Sequence, residues 1–115
     1  MTPTALYFLE EIGEITCVRF SEKLVAHHPP TQIYDLVRNE GKTRIILDFT
    51  NVELITSTAL GVFITFHRKI HAQGGKLAIY GLDDRLRDLL KISLLHRVFH
   101  LCSSFEEALE VASST

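Results

Sequence analysis

The stretch from Arg44 to Gly75, RIILDFTNVELITSTALGVFITFHRKIHAQGG, constrains this chain more than any other. It opens on Arg44-Ile45-Ile46-Leu47-Asp48-Phe49, a continuous apolar run closed by a carboxylate. A run of that kind suits a strand covered on both faces, as in a parallel sheet. From Thr58 the period changes: Ala59, Val62, Phe63, Phe66 and Ile70 recur at helical spacing and predict an amphipathic helix. Leu60, Ile64, His67 and His71 fall on a neighbouring stripe, and Gly74-Gly75 ends the helix. Between strand and helix lies a polar hinge, Ile55-Thr56-Ser57-Thr58-Ala59-Leu60-Gly61.

The rest of the chain can be read against this unit. Leu6 to Ile12 and Ile15 to Phe20, separated by Gly13-Glu14, predict a hairpin. In the second strand Ile15, Cys17 and Arg19 face one way, and Thr16, Val18 and Phe20 the other. Ser21 to Thr31 is irregular, and His27-His28-Pro29-Pro30 cannot continue a helix. Thr31 is expected to cap a short helix from Gln32 to Asn39, which buries Ile33, Leu36 and Val37 and stops at Gly41. Val52 to Ile55 leads into the hinge. Lys76 to Tyr80 predicts a second buried strand. Asp83 caps a helix carrying Leu86, Leu89, Leu90 and Ile92, and Val98 to Cys102 predicts a last strand. Ser104 and Glu107 form a capping box before a helix that buries Phe105, Ala108, Leu109 and Val111. The order β-β-α-β-α-β-α-β-α demands an α/β fold: a mixed, mostly parallel β-sheet with an N-terminal antiparallel edge and about four packed helices. With 115 residues, 1–115 is expected to be one domain.

Composition excludes several functions. Net charge is −2 and the basic residues are scattered, so no nucleic-acid surface is expected. No apolar run is long enough for a membrane span. The opening Met-Thr-Pro-Thr-Ala-Leu-Tyr lacks the basic and apolar regions of a signal peptide, so a cytoplasmic location is expected. Cys17 and Cys102 each sit in an apolar run and read as core thiols.

Catalytic signatures are missing. His67 and His71 have the i, i+4 spacing of metal ligands, but no third ligand is in register and HExxH is absent. His96 and His100 share no obvious face. Ser57, a histidine and Asp48 are present without a GxSxG elbow to couple them, and there is no glycine-rich phosphate loop. No enzyme activity, metal or cofactor is therefore expected. The hinge is different. Thr56, Ser57 and Thr58 offer three hydroxyls where N-capping requires one. Beside the apolar Leu60 and Ile64, a further hydroxyl suits a docking surface switched by phosphate, whose charge a helix N-terminus tolerates and an apolar partner does not.

These residues carry a family resemblance. Leu47-Asp48-Phe49, then Val52 to Phe63, Gly74-Gly75 and Leu77-Ala78-Ile79-Tyr80-Gly81, resemble the STAS domain, the family of bacterial anti-sigma factor antagonists. Leu90 to Phe99 and Phe105-Glu106-Glu107-Ala108-Leu109 resemble its closing turn and last helix. The resemblance implies a STAS-type single domain that binds a partner anti-sigma factor, a serine-protein kinase. That kinase phosphorylates a hydroxyl of the hinge, and a phosphatase reverses the reaction. The acceptor carried over is Thr58, with Ser57 as the alternative, and the partner face comprises Thr56, Ser57, Ala59, Leu60, Gly61 and Ile64. Where the family has aspartate and glycine, this chain has Thr56 and Ala59. The resemblance also covers unphosphorylated scaffold subunits of stressosome-like or lipid-transporter complexes, and nucleotide sensors. A homodimer is left open.

Overall fold

A computed structural model describes residues 7–21, 24–25, 33–93 and 95–114. The sheet begins with β1 (Tyr7–Ile12) and β2 (Ile15–Phe20), antiparallel and in register from Tyr7 opposite Phe20 to Ile12 opposite Ile15. Gly13 supplies the positive φ, 61°, that this tight turn requires. Next to β2 lies β4 (Arg44–Asp48), then β6 (Lys76–Tyr80), then β7 (His100–Cys102), all parallel. The order is β1-β2-β4-β6-β7. A separate two-stranded pair, β3 (Leu24–Val25) with β5 (Leu54–Ile55), was not evident from the sequence because two residues carry no period.

The alternation of the central strands decides where the helices go. Ile45 and Leu47 of β4 face one core with Leu77 and Ile79 of β6, while Ile46 and Ala78 face the other. The first core is covered by α1 (Tyr34–Arg38), α2 (Ser57–Ala72) and α3 (Asp84–Ile92). The second is covered by α4 (Phe105–Ser113), through Ala108 and Ala112 packed on Ile15, Cys17 and Cys102. Small residues on α4 let its backbone lie close to the sheet. The expected mixed sheet, its antiparallel edge and its two-sided burial are all present.

Several local expectations need correction. Helix α1 starts at Tyr34, and its N-cap position, Ile33, makes no side-chain cap bond. Leu6, His27-His28-Pro29-Pro30, the Thr31 cap and Gln32 lie outside the described residues. On α3 only Leu86 and Leu90 are buried; Leu89 and Ile92 are exposed, Ile92 at 82%. The last strand begins at His100, since Leu95–Arg97 forms a 3-10 turn and Val98 is exposed. Phe105, Leu109 and Val111 are half-buried rather than core.

The C-terminal end of β4 is tied by one buried carboxylate. Asp48 accepts from Arg19 Nη1 at 2.7 Å and from the backbone N–H and hydroxyl of Thr50. Across from it Gly81 has φ 87°, and a Cβ there would stand 2.5 Å from Thr50 Oγ1 and 3.0 Å from Asp48 Oδ1. Strained backbone and collision add, so Gly81→Ala should cost about 2 kcal/mol or more in chemical denaturation. An unchanged midpoint would mean that this corner is looser than its contacts indicate.

Candidate functional site

The hinge leaves β4 at Phe49, whose N–H donates to Tyr80 O at 2.8 Å. Val52 and Ile55 are buried, so the connection is pinned to the core on its way to α2. Thr56 is the N-cap, with φ −79° and ψ 161°. Its hydroxyl accepts from Ala59 N at 3.2 Å, and its carbonyl accepts the first helical bond, from Leu60 N at 2.9 Å. Threonine thus does the work that an aspartate would do in that place, without the charge.

Because Thr56 caps the helix, Ser57 and Thr58 do not, and both are exposed in its first turn. That turn contains no acidic residue, so the positive end of the helix dipole is not offset there. Gly61 follows on the same stripe as Thr58 and is exposed. Among the described residues, a Cβ at Gly61 would meet no heavy atom within 4 Å beyond its chain neighbours and the backbone of its own helix.

Two expectations about the partner face change. Ala59 is fully buried, its methyl on the core stripe with Val62 and Phe63, so its side chain packs inward and cannot crowd a partner. Leu60 and Ile64 are half-buried against the core rather than standing free, because their stripe borders the one that packs on the sheet. The large exposed apolar side chain beside the hinge is instead Leu54, 49% exposed on β5. Sequence reasoning passed over it because its short strand gave no alternation to show which way it points.

The other candidate groups are committed elsewhere. Asp48 is engaged by Arg19 and Thr50, so it is not the acid of a triad with Ser57. His67 and His71 do stack, ring centroids 6.0 Å apart, and His67 also meets Phe99 edge-on at 5.7 Å. Among the described residues no third ligand converges on this pair. His67 Nδ1 is buried without a partner there. Burial first, and the neighbouring His71 second, hold the His67 imidazole below the ordinary histidine range.

Two outcomes follow. Thr56→Ala should lower stability by about 1 kcal/mol in urea unfolding, the usual loss for a capping hydroxyl; an unchanged stability would remove Thr56 from that role. His67 has a depressed folded pKa, so the native state binds fewer protons than the unfolded chain just below about pH 6.5. Its contribution is fully present above that pH and is lost as pH falls through the folded pKa. His67→Gln should flatten the stability profile in this window, and an identical slope would contradict the assignment.

Comparison with known proteins agrees with this geometry. Residues 8–108 match the STAS domain. A protein of Thermotoga neapolitana named as a candidate anti-sigma factor antagonist is 31% identical over 85 residues, 74% of this chain and 75% of that one. The crystal structure of a candidate anti-sigma factor antagonist from Thermotoga maritima superposes with a TM-score of 0.78 at 18% identity, covering 94% of this chain and 95% of that one. The Bacillus cell fate determinant SpoIIAA in its phosphorylated form gives 0.67 at 21% identity, covering 90% and 96%. The chain belongs to the STAS domain family and is anti-sigma factor antagonist-like.

Proposed function

We propose that this chain is a cytoplasmic anti-sigma factor antagonist, a binding protein without catalysis of its own, whose contact with a partner kinase is switched by phosphorylation of Thr58. The observation that carries the reading is the division of labour at the α2 N-terminus. Thr56 caps the helix, and Thr58 is left exposed in a first turn free of acidic residues. A phosphate there would gain from the helix dipole and meet no carboxylate within that turn. Relatives named as candidate anti-sigma factor antagonists support the partner class, and SpoIIAA, a structural neighbour, is known in unphosphorylated and phosphorylated forms.

Gly61 supports a docking face independently. Glycine inside a helix costs about 1 kcal/mol relative to alanine. Among the described residues there is no packing reason for it, since a methyl would meet none of them within 4 Å. A glycine with no described neighbour over it fits close approach by something outside the chain. Thr58, Gly61, Leu54 and the half-exposed edges of Leu60 and Ile64 would make that face.

The alternative, a constitutive scaffold subunit, drew on Thr56 and Ala59 as departures from the family motif. That support weakens once Thr56 caps and Ala59 packs inward. With the anti-sigma kinase of its own organism and ATP, the chain should gain one phosphate by intact mass. Thr58→Ala should abolish the gain; transfer that survives it but not Ser57→Ala would move the acceptor, and no transfer to the unaltered chain would favour the scaffold. Thr58→Glu should weaken kinase binding by roughly tenfold or more, about 1.4 kcal/mol. Gly61→Ala should raise stability by about 1 kcal/mol while weakening the complex; unchanged affinity would place the partner elsewhere.

A further inference from the structure

At the far edge of the sheet from the hairpin, three donors of different chemistry converge. His100 and Cys102 are two apart on β7 and so point to the same side. Glu107 reaches them from the first turn of α4, where Ser104 Oγ accepts from its backbone N–H at 3.1 Å. One ligand atom from each, an imidazole nitrogen, the thiol sulfur and a carboxylate oxygen, all lie within 4.8 Å of one another. We propose that His100, Cys102 and Glu107 form a binding site for a borderline transition-metal dication of the Zn2+ type.

The donor set selects the class of ion. Sulfur and imidazole suit Zn2+ and its neighbours, whereas Mg2+ and Ca2+ take oxygen. Ligand bonds of about 2.0–2.3 Å around a tetrahedral ion require the donors to approach to roughly 3.3–3.8 Å. From a spacing of no more than 4.8 Å, the change required is at most about 1–1.5 Å. Exposed His100 and half-buried Glu107 can supply it by rotation while buried Cys102 stays fixed.

Charge also balances. Binding displaces the thiol proton to solvent and forms the metal–sulfur bond, so thiolate and carboxylate together offset the dication, with a neutral imidazole as the third ligand. Without metal, burial first and the carboxylate of Glu107 second keep the Cys102 thiol protonated, its pKa pushed up to about 11. Arg87 of α3 acts the other way, favouring the thiolate. The fourth position is open to water, the arrangement of three-ligand zinc sites. The ion would clip β7 to α4. The motif was hidden in sequence because Glu107 comes from another element, and because Cys102 taken alone reads as a core thiol.

The test is titration of the reduced chain with Co2+, followed by competition with Zn2+. The expected result is a thiolate-to-cobalt charge-transfer band that saturates at one equivalent and disappears on adding Zn2+. Cys102→Ser should abolish it. Glu107→Gln and His100→Ala, both at surface-accessible positions, should weaken binding by about tenfold or more. Cys17→Ser and the double variant His67→Gln/His71→Gln should leave the band intact. No band in the folded protein overturns the proposal. So does a band that survives Cys102→Ser or is lost in Cys17→Ser. If Cys102→Ser does not fold, the Glu107→Gln and His100→Ala pair decides, and unchanged affinity in both overturns the site.

Discussion

The position of α2 depends on three phenylalanine rings. Phe20 at the end of β2 and Phe49 just past β4 stack with centroids 5.0 Å apart, and Phe63 of α2 meets both edge-on at 5.5 and 5.3 Å. All three are buried. Each ring pair contributes about 0.5–1.5 kcal/mol beyond its area burial and fixes an orientation that an aliphatic contact would not. Phe49 has two tasks, since its N–H also closes the end of the sheet on Tyr80 O. The hinge therefore departs from a rigid corner and arrives at a helix seated on that same corner.

Everything at the candidate site follows from this seating. With the core stripe of α2 held down by Phe63, Phe66 and Ile70, Ala59 turns inward, and Ser57, Thr58 and Gly61 turn outward. Thr56 falls where the backbone is extended and the first N–H groups are unsatisfied, so its hydroxyl caps. Substituting threonine for a family aspartate keeps the cap and removes a negative charge next to the proposed acceptor. The helix end is thereby left more receptive to a phosphate.

The sequence was most informative where a period was long. The continuous run of β4 and the helical period of α2 gave strand and helix correctly, because both elements bury enough residues to be patterned by the core; the hinge is shorter than Ile55 to Gly61, since α2 already begins at Ser57. Short elements were not legible. The pair β3 and β5 has two residues per strand and is set by tertiary contact, which also hid the exposure of Leu54. On α3 nothing in the sequence separates the apolar Leu89 and Ile92 from Leu86 and Leu90, but the helix offers only one side to the sheet, and Leu86 and Leu90 fill it. At the hinge, hydroxyl identity was visible in the sequence. The choice of which hydroxyl caps was not, since it depends on where the helix starts by a single residue.

Whether the α2 N-terminus is the switched docking face can be read by amide hydrogen exchange on the complex with the anti-sigma kinase of the same organism. New protection should concentrate in residues 54–64 and be lost when Thr58 carries a phosphate. Protection centred instead on the exposed edge of β1 or on α3, with residues 54–64 exchanging as in the free chain, would contradict it.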